Sequence, residues 1–428
     1  MAKKKRHRYN RRKRKIRKLI ILVEVLVLII LSITAYGVHK YTLMDTTTLD
    51  DSKLEIYQST GDYTNIALFG LDSREGELDG GVQSDCIMIA SINNKTSEVN
   101  LVSVYRDTLM RQDDGSYEKA NYAYNVSGAQ EAIAMLNRNL DLDIEKYVSV
   151  NFNALADVID ALGGVEIDLT EEEVYWTNGY CTETSQVVGR ETTTLEGAGV
   201  HNLDGIQATS YCRIRYTTGD DFKRTERQRT VLEQVFKKAK KADIATLNKI
   251  VNQVFPQVST NLTLQNILGM ATNATNYTIG ETTGFPFDVE GCENVYGHEG
   301  SYVVPVGMED QVKQLHKFLF AKKDYEPSDT VKGINNDIIN LTFIGTDQYD
   351  DTAPEDSTTV TEYYSSDSTS TDSSYDSSNY GYDSSYDNSS YGYDNSGSSY
   401  DSSGYGYDSG ASGYSYDNSG YNTSGTYY

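Results

Sequence analysis

The sequence predicts an external α/β layered domain behind a single membrane anchor, and three observations lead to this prediction. Short apolar runs bounded by turn residues alternate with segments of helical periodicity. They extend over about 260 residues, which is enough chain to bury one large core. A basic N-terminus precedes a long apolar run, and the final part of the chain has almost no aliphatic side chains.

The N-terminal arm and the apolar run after it are typical of a retained membrane anchor. Residues 1–18 hold twelve Lys and Arg and no acid, and residues 19–36 are apolar at all but three positions. Eighteen helical residues rise about 27 Å, close to the thickness of a bilayer core. Because basic flanks stay in the cytoplasm, we expect residues 1–18 inside the cell, a span over 19–38 and everything later outside. A cleaved signal peptide is the alternative interpretation.

The charge of the remaining chain argues against nucleic-acid binding. The formal net charge is −24, and without the twelve basic charges of the arm it is −36. A body this acidic repels phosphodiester backbones outside a local basic patch, so no nucleic acid is expected as a partner.

The four cysteines do not predict a metal site. They show no CxxC spacing, so a zinc site is not expected. Outside the cytoplasm they allow up to two disulfides with three possible pairings, and free thiols packed as small apolar side chains are the alternative. The cysteines are Cys86, Cys181, Cys212 and Cys292.

The domain is assigned to residues 61–322, behind a polar stem at 39–60. Its order of elements is the basis for the α/β prediction. Short apolar runs predict strands at 64–70, 84–92, 98–104, 147–152, 165–169 and 302–304. Helical spacing predicts helices at 127–140 with Ser127 as N-cap, 154–162, Asp220 or Asp221 to about 241, 244–254, 263–273 and 308–320. Residues 171–200 have few apolar positions and are expected to form a surface excursion.

Residues 323–428 are expected to form a linker and a low-complexity tail. No Lys or Arg follows Lys332, and residues 351–428 hold thirteen acids and sixteen of the 35 tyrosines. A segment of this composition cannot bury a core, so the tail is predicted to be disordered. It serves either as a solvated spacer or as a set of tyrosines that adhere to wall polymer or to each other.

The stretch from Arg213 to Arg229 is the strongest sign of a functional site. Six basic residues lie within these seventeen positions, beside three acids. Guanidinium groups around a few carboxylates suit a phosphate ligand with a divalent metal ion. Arg213 and Arg215 are two apart and would point the same way from an extended backbone. Arg224 and Gln228 share one face near a helix N-terminus, which favours anions, and a charged solvated helix is the alternative.

Three other segments place polar residues at predicted strand ends. Asp72 and Arg74 follow one strand, Asp85 opens the next, and Arg106 and Asp107 follow a third. A carboxylate at the edge of a core requires a partner or a metal ion, and Mg²⁺ prefers oxygen ligands. The Arg106 guanidinium would bind phosphate while Asp107 orients it. The alternatives without a functional role are an Asx-turn at Asp72 and a surface ion pair between Arg106 and Asp107.

In this order, the four segments resemble the LytR-CpsA-Psr family of membrane-anchored cell-wall ligases. The resemblance covers residues 60–242 and extends more weakly to 320. It implies a three-layer α/β/α sandwich with a mixed central sheet, and a long apolar groove for a polyprenyl chain. The matching text is NIALFGLDSR, SDCIMIASINNKTSEVNLVSVYRDT, KANYAYNVSGAQEAIAMLN, YVSVNFNALADVIDALGGVEIDL and LDGIQATSYCRIRYTTGDDFKRTERQRTVL.

The resemblance also implies an activity. Family members transfer a phosphate-linked glycopolymer, such as a teichoic acid or capsule polymer, from a polyprenyl-pyrophosphate carrier to peptidoglycan with Mg²⁺. By motif position, the acids that would bind the metal ion are Asp72 and Asp85. Asp221 would act either as a general base or as a carboxylate that supports the metal site without binding the ion directly. Catalytic roles would fall on Asp85, Arg106, Asp221 and Arg213. Residues that bind the pyrophosphate would be Arg106, Arg213, Arg215, Arg224 and Gln228, with Arg74 as a possible substitute contact.

The chain departs from the family pattern at four positions. The family often has an arginine about three residues before the Asp85 position, where Val82 or Gln83 stands here. This departure weakens one expected phosphate contact, which Arg74 would replace, and leaves substrate preference in doubt. The usual proline before Arg106, threonine after Asp85 and alanine before Arg213 are replaced by Tyr105, Cys86 and Cys212.

Two other functions stay open at the level of the sequence. One is a non-catalytic, anchored binder of wall polymer or lipid pyrophosphate, and the other is a hydrolase in which water attacks the same carrier. The acids Asp72, Asp85 and Asp221 favour an enzyme, because anion binding alone requires arginines and not carboxylates. An external domain on an acidic body argues against a transcription attenuator. Five scattered histidines and no nucleophile elbow argue against a Ser-His-Asp enzyme.

Overall fold

A computed structural model describes most of the chain between residues 27 and 345. The predicted basic arm, half of the predicted span and the tail at 351–428 lie outside the described residues. No described helix is long and apolar enough to cross a membrane. The described residues are 27–29, 31–32, 34–73, 77–215, 220–295 and 298–345, without the side chains at 220, 221, 298 and 299.

The described elements alternate between strands and helices, after an N-terminal helical segment at 34–41. The strands are β1 (Asp45–Thr46), β2 (Tyr63–Leu71), β3 (Ser84–Asn93), β4 (Glu98–Val104), β5 (Leu109–Arg111), β6 (Tyr117–Lys119), β7 (Lys146–Asn151), β8 (Val165–Leu169), β9 (Gly199–Leu203), β10 (Val258–Thr260), β11 (Thr278–Phe285), β12 (Val289–Val295) and β13 (His298–Pro305). The helices are α1 (Ala120–Leu140), α2 (Phe152–Ala161), α3 (Glu171–Val188), α4 (Gly205–Tyr211), α5 (Asp220–Ala239), α6 (Ile244–Val254), α7 (Leu264–Asn273), α8 (Met308–Phe320) and α9 (Asp329–Thr342).

The central sheet has seven strands in the order β1-β10-β7-β2-β3-β4-β11. Strands β2, β3 and β4 form an antiparallel meander, whereas β7 and β11 run parallel to their neighbours β2 and β4. The predicted α/β class with a mixed central sheet is therefore confirmed. Strand β3 is buried on successive residues, which means that both of its faces are covered, as a layered sandwich requires.

The largest core cluster joins the middle of this sheet to α1, α8 and α9. Phe69 of β2 packs against Tyr124 of α1, with ring centroids 5.0 Å apart. The Tyr124 hydroxyl donates a hydrogen bond to the Leu78 carbonyl and accepts one from the Ser149 hydroxyl, both at 2.8 Å. This packing fixes the ends of β2 and β3 where the predicted site residues lie.

Helix α1 begins earlier than predicted and contains a break where its start was expected. It begins at Ala120, and the backbone leaves helical geometry at Ser127 and Gly128. Gly128 has φ 66°, and a Cβ there would lie 2.4 Å from Asp79 Oδ1. The predicted N-cap at Ser127 is therefore wrong as a start, because two helical pieces meet there and the sequence marks only the second.

The predicted surface excursion at 171–200 is wrong over its first part, which forms α3. Thr170 caps the helix through a reciprocal capping box with Glu173, and Gly189 ends it at φ 71°. The apolar signal was weak because small and polar side chains occupy most of the buried face. The buried residues of α3 are Val174, Thr177, Cys181 and Thr184.

The folded domain extends beyond both predicted boundaries of 61–322. Leu54, in the predicted stem, is fully buried in the main core, and β1 pairs with β10 at the sheet edge. In the predicted linker, α9 buries Val331, Ile334 and Ile338 in the same core. Isolated apolar residues in a polar segment are too few to mark a buried element in the sequence.

The four cysteines are free thiols, as one of the two sequence interpretations proposed. Cys181 and Cys212 are buried, and Cys86 and Cys292 are half-buried. Burial raises the pKa of the Cys86 thiol to about 12, so it is neutral and packs as a small apolar group.

The contribution of α9 to the core can be measured. Ile334→Ala should lower the free energy of unfolding by about 2–5 kcal/mol, because it leaves a cavity beneath a fully buried position. Asn336→Ala, on the exposed side of the same helix, should change it by about 0.5 kcal/mol or less. Chemical denaturation followed by circular dichroism gives both values. Equal stability of the two variants would mean that α9 does not contribute to the core and is a linker, as the sequence predicted.

Candidate active site

Two predicted acids lie at the same end of adjacent strands. Asp85 is the second residue of β3, and Asp72 follows the end of β2. The Asp72 N–H donates to the Gln83 carbonyl at 3.1 Å, which ties the two strand ends together. The β2–β3 register shifts next to this point, between Gly70 and Leu71. Asp72 is half-buried and Asp85 is buried.

The Asp85 carboxylate is bound by three arginines, a set that we call the Asp85 cluster. Arg106 Nη1 lies 2.9 Å from Oδ1, while Arg224 Nη2 and Arg215 Nη2 lie 2.8 and 3.1 Å from Oδ2. Arg224 Nη2 also donates to the Asp85 carbonyl at 3.1 Å. These are charge-assisted hydrogen bonds, and they hold all four side chains in one arrangement.

Four separate elements supply the Asp85 cluster. Arg106 follows β4, Arg215 follows α4, and Arg224 lies in the second turn of α5. Arg106 Nε also contacts Asp107 Oδ2 at 3.1 Å, as predicted, and Lys119 Nζ lies 2.9 Å from the other oxygen of Asp107. The strand ends thus bring together residues that are up to 139 positions apart in the chain.

Burial and charge act in opposite directions on Asp85. Burial alone would raise the pKa of its carboxyl, but the guanidiniums of Arg224, Arg106 and Arg215 outweigh burial and lower that pKa. The carboxylate is therefore ionised at neutral pH, and its charge in turn makes the crowding of three guanidiniums tolerable.

The cluster carries surplus positive charge. Together with Asp107 and Lys119, its described residues comprise four cations and two carboxylates. The Arg224 side chain is 3% exposed, whereas that of Arg215 is 38% exposed. One guanidinium is therefore fixed in the interior and another faces solvent, an arrangement that suits a bound anion.

Arg213 takes different partners from Arg215, which corrects the expectation that the two point the same way. Its guanidinium contacts Glu183 Oε2 and Thr184 Oγ1, both at 3.1 Å. It also lies over the rings of Phe152 and Tyr180, 5.3 and 5.6 Å from their centroids. The backbone here is a turn and not an extended strand, since the Arg213 N–H donates to the Ser210 carbonyl.

Gln228 lies one turn after Arg224 on α5, as predicted. Its Oε1 atom is buried without a hydrogen-bond partner among the described residues. A buried polar atom in this state usually has a missing water, ion or ligand as its explanation. The side chains of Arg74 and Asp221 lie outside the described residues, so their predicted roles stay predictions.

The other three basic residues in the first half of α5 differ in exposure. Lys223 is exposed and pairs with Glu226. Arg227 is buried, with Nε 2.9 Å from Glu173 Oε1, so it fastens α5 to α3. Arg229 is half-buried, and burial lowers the pKa of its guanidinium. Helical periodicity alone could not distinguish these faces, because basic residues occupy all of them.

The acids available for a metal ion fit Mg²⁺ in donor chemistry. No group of three His, Cys, Asp or Glu that could hold a metal occurs among the residues described in the structure. Asp72 and Asp85 offer hard oxygen donors on adjacent strands. Guanidinium contacts occupy three of about four acceptor positions of the Asp85 carboxylate. A Mg²⁺ ion here would therefore take most of its ligands from water and phosphate oxygens.

The Asp85 cluster predicts a specific pH dependence of stability. Asp85→Asn should lower the free energy of unfolding at neutral pH by about 3–5 kcal/mol, because it leaves buried guanidiniums without their carboxylate. The folded pKa of Asp85 is lowered, so its contribution is fully present above the unfolded pKa of about 3.9 and is lost at lower pH. The difference between variant and wild type should therefore shrink in acid denaturation series below about pH 4.

Asp62→Asn is the matched control for this measurement. Asp62 forms an exposed ion pair with Lys95, so its loss should cost about 1 kcal/mol or less. If the two variants were equally stable at neutral pH, the ion pairs of Asp85 would contribute no more to the free energy of unfolding than one exposed surface pair.

Several known proteins are similar to this chain in sequence. The transferase TagU of Halalkalibacterium halodurans, named as a polyisoprenyl-teichoic acid–peptidoglycan teichoic acid transferase, is 29% identical over 260 residues, which cover 57% of this chain and 80% of TagU. Biofilm regulatory protein A of Streptococcus mutans is 28% identical over 58% of this chain and 64% of its own.

A solved structure shows the same fold. The crystal structure of protein gbs0355 from Streptococcus agalactiae covers 63% of this chain and 92% of its own, with a TM-score of 0.51 and 23% identity. The model of the LytR_cpsA_psr family matches residues 31–317, about two thirds of the sequence. Because this match covers more than half of the sequence, the chain belongs to the LytR-CpsA-Psr family.

Proposed function

We propose that this protein is a membrane-anchored phosphotransferase that acts on lipid-linked wall polymers. It would move a phosphate-linked anionic glycopolymer, of the teichoic acid or capsule type, from a polyprenyl-pyrophosphate carrier onto peptidoglycan. The observation that carries the proposal is the Asp85 cluster, in which three arginines converge on one buried carboxylate. The names of the matched transferases support the same reaction class.

Charge neutralisation is the main task of such a site. A pyrophosphate diester repels an incoming sugar hydroxyl, and fixed guanidiniums remove that repulsion. Arg224 is held in the interior and cannot move far, while the more exposed Arg215 can exchange part of its contact with Asp85 for a phosphate oxygen. Fixed donors also stabilise the charge that develops on the leaving phosphate.

Mg²⁺ is proposed as the cofactor, with Asp72 and Asp85 on its protein side. When bound, the ion would supply further positive charge to the leaving pyrophosphate. Asp85 would then serve two tasks, because it also orients the arginines. Arg106 would stay in place through its second carboxylate partner, Asp107.

A proton acceptor for the sugar hydroxyl is also needed. Asp221, in the first turn of α5 and three residues before Arg224, is the proposed general base. A positioned base contributes about 10²–10⁴-fold to a rate. Arg213 would join the pyrophosphate contacts by leaving Glu183, and Arg74 and Gln228 would complete them. No covalent enzyme intermediate is required.

The proposed location is the outer face of the cell membrane. Residues 1–18 would remain in the cytoplasm, 19–38 would span the bilayer, and the domain would face peptidoglycan outside. The basic arm and apolar run support this topology. The N-terminal helical segment, which continues from the predicted span into β1, is compatible with it.

A transfer assay tests the proposal. The full chain is incubated with Mg²⁺, a polyprenyl-pyrophosphate glycan and peptidoglycan oligomers, and mass spectrometry is used to find a phosphodiester-linked product. Arg215→Gln should reduce product formation by about 10²-fold or more, since it removes a donor to the developing charge. Arg190→Gln is the matched control, because that side chain is 37% exposed and pairs with Asp157 and Asp160 away from the cluster.

The other outcomes separate the competing functions. Release of free glycopolymer at the rate expected for transfer would identify a hydrolase. Binding of the carrier with neither product would identify a non-catalytic binder. If Arg215→Gln formed the product at the wild-type rate, the Asp85 cluster would have no role in the reaction.

A further inference from the structure

The N-terminal helical segment lies beside α6 in a defined register. The Tyr36 hydroxyl donates to Asn248 Oδ1, and the Lys40 ammonium donates to Asn252 Oδ1. Both partners advance by four residues in the same direction along the two helices. The helices are therefore parallel, and each turn of one lies level with a turn of the other.

Extending this register one turn towards the N-terminus brings Ile244 of α6 level with residue 32. The segment at 19–36 is the apolar run that the sequence assigns to the membrane. Ser32 is helical, with its hydroxyl bonded to the Leu28 carbonyl. The first turn of α6 thus reaches the level of a segment predicted to lie inside the bilayer.

Apolar side chains are exposed in this part of α6. Ile244 is 85% exposed and Leu247, three residues later, is also exposed. Single exposed apolar residues are ordinary on a protein surface. Ile244 and Leu247 differ from such residues because they lie at the level of the predicted membrane span.

The register is held by further contacts, so it is not a loose association of two helices. Tyr41 packs against a separate apolar cluster in which Met44 and Val254 are buried. The Tyr41 hydroxyl donates to the Leu262 carbonyl at 3.2 Å. Directly after the segment, β1 pairs with β10 of the central sheet. The domain therefore cannot swing freely on the end of the anchor.

Basic residues precede the exposed pair. Four lysines lie between positions 237 and 241, in a body that is otherwise strongly acidic. Lys238 and Lys240 donate to Asn202 Oδ1 and to the Tyr277 carbonyl, whereas Lys237 is exposed. Lys241, at the turn between α5 and α6, is exposed. Exposed lysines beside an apolar pair suit an anionic lipid surface, where ammonium groups meet headgroup phosphates and apolar side chains enter the boundary between headgroups and acyl chains.

We propose that residues 237–247 form a membrane-contact tip. Ile244 and Leu247 enter the headgroup region of the bilayer, and the exposed Lys237 and Lys241 face anionic lipid phosphates. The proposal rests on the membrane anchoring put forward above. It has a consequence for the active site, because α5 joins the tip to Arg224. Sixteen residues separate Arg224 from Lys240, so the Asp85 cluster stands at most about 24 Å above the contact.

Depth-dependent fluorescence quenching tests the tip. The full chain, which has one native tryptophan, is reconstituted in phosphatidylglycerol vesicles with or without bromine on the acyl chains. Ile244→Trp adds a reporter at the tip, and quenching is measured relative to the parent chain. The added emission should be lower in the brominated vesicles than in the unbrominated ones, because the side chain lies at the boundary of headgroups and acyl chains. Leu247→Trp serves as a second reporter if the first variant folds poorly.

Two matched variants separate this inference from the anchoring itself. Leu28→Trp reports on the predicted span and should be quenched. Phe343, which follows α9 where that helix packs on α1 and α8, is 72% exposed, and Phe343→Trp should not be quenched. Quenching of Leu28→Trp without quenching of Ile244→Trp or Leu247→Trp would contradict the proposed membrane contact of the tip and would still support the membrane anchor. Absence of quenching at Leu28→Trp would overturn both.

Discussion

The arrangement of this domain depends on the ion pairs between one buried carboxylate and three arginines. Asp85 is stable in its buried position only because Arg106, Arg215 and Arg224 compensate its charge. The arginines in turn approach one another only because the carboxylate lies between them. Since these residues come from β3, β4, the end of α4 and the start of α5, the ion pairs fix where four elements meet. The proposed pyrophosphate site is a consequence of that meeting point.

The positive charge of the cluster and the negative charge of the whole chain have separate effects. The body carries a large net negative charge, so a diffusing anion is repelled nearly everywhere. A substrate delivered by a membrane carrier does not depend on long-range attraction. Such a substrate needs a local cationic site at a defined height above the membrane. The contacts between the N-terminal helical segment and α6 would fix that height. Arg213, paired with Glu183, is held apart from the cluster in this state.

The sequence predicted the strands whose ends carry the Asp85 cluster better than it predicted the extent of the domain. Strong apolar runs made β2, β3 and β4 recognisable, and the residues at their ends had to meet at one sheet edge. By contrast, α3 buries small polar side chains and α9 buries one apolar residue per turn, so neither carries a strong periodic signal. The buried role of Arg227 depends on Glu173 in another helix, which no local pattern reveals.

The central claim is that the Asp85 cluster binds pyrophosphate, and calorimetric titration of the full chain with inorganic pyrophosphate tests it most directly. The account predicts binding that weakens as salt is added, because the contacts are ionic. It also predicts that Arg106→Gln weakens the affinity about tenfold or more, equivalent to about 1.4 kcal/mol. Pyrophosphate affinity that is the same in the variant and in high salt would contradict the claim.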